Sequence, residues 1–187
     1  MRTLAVAAVS GFALTASALA APPYAGLQTR EIKAVSPERI DALLAGKGAG
    51  YALSAELNGY PGPRHVLDLG DQLNLTPDQR QATEELFVRM QAEAIPLGEA
   101  LIDKERALET LFRDGRAEYG AIAALTAEIG ALDGRLRAAH LKYHVDMANL
   151  LSAHQRVAYN RLRGYDAPPS GGQGAPMDHD GHSGHGD

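Results

Sequence analysis

The chain has 187 residues, of which 45% are hydrophobic, with no Cys, no Trp and a formal charge of −5 at pH 7. The absence of thiols excludes disulfides, thiolate metal sites and thiol catalysis, so any metal must be held by His, carboxylate or Met. A mildly acidic chain is a poor nucleic-acid binder, and a core built from Ala and Leu suits helices better than a β-sandwich.

Residues 1–20 read as a secretory signal peptide. Met1-Arg2 gives a short positive start, Leu4 to Leu19 is apolar and Ala-rich, and Ala18-Leu19-Ala20 is an A-x-A cleavage site. Losing Arg2 with the signal moves the formal charge from −5 to −6. No later segment reaches ~18 consecutive apolar residues, so the expected mature protein is soluble and periplasmic.

Residues 21–62 read as an irregular N-terminal arm with short helices. Ser36-Pro37-Glu38 starts one helix, Ile40, Leu43 and Leu44 form its apolar side, and Gly46-Lys47-Gly48 stops it. Tyr51 to Leu57 suits another before the turn signals of Asn58 to Pro63. Tyr24, Leu27, Ile32 and Val35 are too apolar for a solvated linker. The arm is therefore expected to pack on the rest of the chain or on a partner subunit.

Residues 63–165 carry the main helical pattern. Arg64 to Leu73 reads as a short helix burying Val66, Leu67 and Leu69. In Leu75-Thr76-Pro77-Asp78-Gln79 a hydroxyl stands three positions before a Gln, the capping-box spacing, with Pro77 at the first helical position. Leu86, Met90, Ala94, Leu97, Leu101, Leu108, Leu111 and Phe112 then recur every three or four residues. This long helix should end near Arg113-Asp114-Gly115, with Pro96 kinking or briefly breaking it. A second long helix is expected from about Ala117 to Leu150, with a stripe of Ile122, Leu125, Ile129, Leu132, Leu136, Tyr143, Met147 and Leu150.

Leu151-Ser152-Ala153-His154-Gln155 repeats the capping-box spacing and starts a last short helix, with Val157, Tyr159 and Leu162 inside and Gly164 ending it. The tight turn between the long helices makes them antiparallel neighbours. The expected fold is all-α: an elongated antiparallel helical hairpin with short flanking helices. So thin a hairpin leaves an apolar face, which a homodimer would cover. Residues 166–187 turn to Pro, Gly, Ser, Asp and His; they cannot fill a core and read as a disordered tail.

His140 and His144, four apart on a helix, place both imidazoles on one face, where they can share a metal; Met147 follows one turn on. The pair is no metalloprotease site, because the position after the first His is Leu141 and not the Glu base. With no base, nucleophile or oxyanion loop in view, the chain reads as a non-enzyme with no organic cofactor. His179, His182 and His185 are spaced by three in the tail, where a flexible chain can wrap imidazoles around an ion. The ordinary alternatives are polar residues flanking a helical seam and a solubilising tail.

The two Leu-led capping boxes flanking a helical hairpin in an exported chain resemble the LTxxQ motif family, the Spy/CpxP-like periplasmic group of ATP-independent chaperones and envelope-stress regulators. The resemblance covers roughly Arg64 to Tyr165, with Ala138-Ala139-His140 to Asn160 similar to the second-motif region. In the second motif Ser replaces Thr, and Ala-His replaces the usual Pro-Glu. The family is typically dimeric. Related metal sensors bind their ion with His from the first short helix, a Glu from the long helix and a His-x-x-x-Met pair from the third. The resemblance therefore implies a site of His65, His140 and His144, with His140 opening the pair and His144 at its Met position. Leu69 stands where the sensors carry a second His four residues after the first, and the carboxylate would be Glu84 or Glu85.

Two functions follow as expectations. The first is a metal-binding or metal-sensing envelope-stress protein that takes Zn, Cu, Ni or Co. The second is a chaperone that holds unfolded proteins on the hairpin. From Gly134 to Arg163 there are six basic residues (Arg135, Arg137, Lys142, Arg156, Arg161, Arg163) against the one acid Asp146. This stretch is either a solvated face or a basic patch for acidic or unfolded clients. A membrane-bound stress regulator is a further expected partner.

Overall fold

The computed structural model describes Pro22 and residues 24–166; the expected signal peptide and all of the expected disordered tail after Asp166 lie outside the described residues. A 3-10 turn at Leu27–Thr29 is followed by α1 (Pro37–Leu44), α2 (Leu53–Glu56), α3 (Pro63–Asp68), α4 (Pro77–Arg113), α5 (Tyr119–Leu150) and α6 (Ala153–Leu162). Among the described residues the fold is all-helical, built on two long packed helices.

Both capping boxes form. Thr76 Oγ1 accepts the Gln79 amide at 3.1 Å while Gln79 Oε1 accepts the Thr76 amide at 3.2 Å. Ser152 and Gln155 repeat the exchange at 3.2 and 3.0 Å. Each pair satisfies two backbone donors that a helix start otherwise leaves unpaired. α4 runs without interruption through Pro96, where a break or kink was expected. The ring deprives the Ala92 carbonyl of its partner, yet Leu97, Leu101 and Ile102 are buried beyond it and hold the helix in register. At ~1.5 Å per residue, α4 and α5 extend ~55 and ~48 Å.

Gly115, at φ +66°, turns the chain between them. α5 starts two residues later than expected, and α3 stops at Asp68, short of Leu73.

Two apolar clusters hold the arm and the short helices to this hairpin. In the first, Ile32, Val35, Leu43 and Tyr51 of the arm pack on Ala94, Leu97, Leu101, Ile102, Leu136 and Ala139. In the second, Val66 and Leu73 join Leu86, Met90, Tyr143, Met147, Leu151 and Tyr159. The arm thus packs on its own hairpin, as one of the two expected alternatives had it. Gly98 permits this approach: a Cβ there would lie 2.8 Å from the Leu43 carbonyl oxygen.

Five residues expected inside are exposed instead: Tyr24, Leu44, Phe112, Val157 and Leu162. Tyr159 alone fills the α6 interface, so one aromatic replaces a three-residue stripe. Toward the hairpin turn, Leu108, Leu111, Ile122 and Leu125 are only half-buried, because neither the arm nor α6 reaches that end.

Candidate functional site

His140 and His144 lie one turn apart on α5, on the seam between the two apolar clusters. Both are buried, at 2% and 7% exposure. The His140 ring stacks on Tyr51, with centroids 5.9 Å apart and planes within 10°. His144 Nδ1 donates to the Tyr60 carbonyl at 2.7 Å, which leaves its Nε2 with the free lone pair. Gly62 makes the close approach possible, since a Cβ there would sit 2.9 Å from both Cε1 and Nε2 of His144. His65, on α3, is brought to the same place with its side chain 41% exposed.

The carboxylate of this site is Glu56, at the end of α2, rather than Glu84 or Glu85. Those two are exposed on α4, where Glu85 accepts from Gln81. Sequence reasoning missed Glu56 because it lies outside the helical pattern, in an arm whose turns hide where it folds. The only available signal was a lone acid in an otherwise apolar Leu-Ser-Ala-Glu-Leu turn next to Asn-Gly.

Glu56 is 6% exposed and is the hub of the cluster. Its Oε1 accepts from the Tyr159 hydroxyl and from the Tyr165 hydroxyl at 2.9 Å. Arg163 Nε stands 3.4 Å from the same oxygen. His65 Nδ1 approaches Oε1 at 3.3 Å without hydrogen-bond alignment, and His144 Nδ1 lies 3.7 Å from Oε2.

Burial pushes the Glu56 carboxyl up, but His65 beside it and the hydrogen bonds from Tyr159 and Tyr165 outweigh that and hold it at about 2. The buried carboxylate is therefore charged at neutral pH. Burial lowers both His140 and His144. Repulsion between the rings adds to the shift in His140, while the Tyr60 carbonyl and Glu56 oppose it in His144. Both imidazoles are thus kept neutral, the form that ligates a metal.

Three donor atoms of this group, Glu56 Oε2, His65 Nδ1 and His140 Nε2, are buried with no hydrogen-bond partner. Leaving such an atom unpaired costs about 1–3 kcal/mol. A mixed imidazole and carboxylate set suits Zn, Cu, Ni or Co. The 3.3 Å between His65 Nδ1 and Glu56 Oε1 is close to the ~3.3 Å between two donors on one tetrahedral ion. As the side chains stand, however, no group of three or more His, Asp or Glu donors among the described residues is arranged to hold a metal. The donor chemistry fits an ion, and the set is geometrically incomplete.

A cavity of about 660 Å³ opens beside the donors, walled by Ala52, Leu53, Pro63, Phe87 and Met90. Met147 is fully buried in the second apolar cluster, away from the cavity lining. His179, His182 and His185 lie outside the described residues.

The basic stretch is largely engaged within the chain. Arg137 lies over the Tyr51 ring, Lys142 pairs with Glu93 at 3.5 Å, Arg156 donates to the Ala148 carbonyl at 2.8 Å, and Arg163 faces Glu56. No described helix is long and apolar enough to cross a membrane. A family model described as heavy-metal resistance matches residues 42–158. No curated protein and no solved structure matches the chain.

Proposed function

Because the chain belongs to the heavy-metal resistance family, we propose that it binds a divalent transition ion, Zn, Cu, Ni or Co, through Glu56, His65, His140 and His144. The reading places it among metal-binding or metal-sensing envelope-stress proteins of the Spy/CpxP type, acting in the periplasm after cleavage of a signal peptide. The observation that carries it is the trio of buried, unpartnered donor atoms on Glu56, His65 and His140. Buried carboxylate and imidazole atoms left without a hydrogen-bond partner are what a bound ion would satisfy.

Glu56 at the end of α2, His65 on α3 and His140 and His144 on α5 would hold the ion, which would supply a positive charge among them. The chain's part is to keep the imidazoles neutral by burial, to fix the His144 tautomer through the Tyr60 carbonyl, and to hold Glu56 with Tyr159. We read the chain as a binding protein and not an enzyme. We take the working form to be a homodimer, joined over the half-buried apolar end of the hairpin.

Zinc titration by calorimetry tests this. The unaltered protein should bind with at least tenfold higher affinity than a His140→Ala/His144→Ala variant. Equal affinities would sink the assignment.

A second reading, an ATP-independent chaperone, is supported by the same half-buried end at Leu108, Leu111, Ile122 and Leu125. The internal engagement of four of the six basic residues argues against a strong electrostatic component. Suppression of client aggregation that vanishes in moderate salt would contradict that view of it.

A further inference from the structure

We propose that an ion in this pocket is held together with a small organic co-ligand, a monoanionic chelator of the α-amino-acid class. Its amine and carboxylate coordinate the ion, and its apolar side chain fills the cavity. The inference rests on the metal-binding reading of the pocket and names what shares the site with the ion.

The protein donors leave room in the coordination shell. No three His, Asp or Glu donors among the described residues are arranged around one point. Glu56, His65, His140 and His144 all line one cavity, so the open side of an ion they hold faces that cavity. At about 660 Å³ the cavity is far larger than an ion needs. It falls within the usual range of small-molecule sites, roughly 300–1,000 Å³.

Charge points to an anion. Imidazoles ligate as neutral groups. Among the described residues lining the cavity, Glu56 is the one acid, and its charge is already shared with Arg163, 3.4 Å from Oε1. A divalent ion therefore keeps an uncompensated positive charge in a buried site, which is costly without a counter-charge. A monoanionic chelator supplies it. Lys47 and Arg64 line the same cavity. Asp68 already holds Arg64 at 3.0 Å, which leaves Lys47 to meet the carboxylate oxygen that faces away from the ion.

The walls set the rest of the ligand. Met90 is buried, Phe87 half-buried and Leu53 57% exposed, so the apolar lining runs from the interior to the surface. A hydrated ion alone would leave that lining wet. An aliphatic or aromatic side chain laid against it removes apolar surface from water on both partners.

The test uses L-phenylalanine as the probe, with glycine as a chelator that lacks the apolar side chain. Each is titrated by calorimetry into the full-length protein, metal-free and zinc-loaded, at matched free zinc. Phenylalanine should bind the zinc-loaded protein at least tenfold more tightly than glycine, and at least tenfold more tightly than it binds the metal-free protein. Leu53→Ser should weaken phenylalanine binding several-fold and leave zinc affinity unchanged in the absence of amino acid. Leu53 is exposed and is not a ligand, so the fold should survive, which circular dichroism checks.

Equal affinities for phenylalanine and glycine, or phenylalanine that only strips zinc from the protein, would overturn the co-ligand and leave the metal site standing. So would equal binding of phenylalanine with and without zinc. An unchanged phenylalanine affinity in Leu53→Ser would overturn the placement of the side chain in the cavity. Zinc that binds neither alone nor with phenylalanine would overturn the metal-binding reading itself, and the inference with it.

Discussion

The side-chain amides of Gln79 and Gln155 exchange hydrogen bonds, each donating from Nε2 to the other's Oε1, at 3.0 and 2.9 Å. The two residues are 76 positions apart and each already closes its own capping box. Gln79 also donates to the Leu150 carbonyl at 3.1 Å, and Gln155 to the Leu73 carbonyl at 3.3 Å. The starts of α4 and α6 are thus clamped to each other and to the end of α5. A motif that locally means only "begin a helix" here also sets the relative position of two helices.

This clamp should be energetically coupled. Thr76→Ala should lower stability by ~1 kcal/mol, the usual loss for an N-cap. Gln79→Ala and Gln155→Ala should each cost more than that, and the pair should be non-additive by ~0.5–1 kcal/mol. A double-mutant cycle by urea unfolding checks it; strict additivity would mean that the bridge contributes nothing.

Gly98→Ala should destabilise the protein by ~1–3 kcal/mol, as overpacking does. The new methyl would meet the Leu43 carbonyl at 2.8 Å, a backbone group that only moves if α1 lifts off α4. The measurement is the shift in unfolding midpoint. An unchanged midpoint would show that the arm is not seated there.

Acid should expose the role of Glu56. Its folded pKa of about 2 lies below the value of 4.5 it has when unperturbed. The contribution is therefore complete above pH ~4.5 and is lost as pH falls through the folded value. A shift of this size corresponds to a stabilisation on the order of 3 kcal/mol at neutral pH. Glu56→Gln, in the presence of a chelator, should lose about that much at pH 7. It should also flatten the acid limb of the stability curve below pH ~4.5. A variant whose acid limb matches that of the unaltered protein would contradict the hub role.

Tyr165→Phe should raise metal affinity by a few-fold, because it removes a donor that competes with an ion for Glu56 Oε1. Tyr159→Phe should instead lower both stability and affinity, since Tyr159 is fully buried and orients the carboxylate. Calorimetry of both variants checks the contrast. Parallel effects in the two would mean that the tyrosines do not divide these roles.

What the sequence determined is local. Thr76 and Gln79, Ser152 and Gln155, the three-four stripes of α4 and α5, and the shared face of His140 and His144 all depend on spacings of a few residues, which helix geometry converts directly into structure. That was enough for the all-helical hairpin and for the imidazole pair. The helix does not break at Pro96, because the penalty of the ring is local while the packing that overrides it, at Leu97, Leu101 and Ile102, is not.

Only the tertiary structure decided the rest. Whether Val157 or Tyr159 fills the α6 interface depends on the shape of the second cluster and not on either residue's hydrophobicity. Glu56 reaches His144 across 88 positions and Tyr159 across 103, through turns at Gly59 and Gly62 whose direction no periodicity encodes. Burial, which keeps the imidazoles neutral and leaves three donors unpaired, exists only once the arm has folded over α5. A site assembled from three elements far apart in sequence is therefore visible only after the chain has closed on itself.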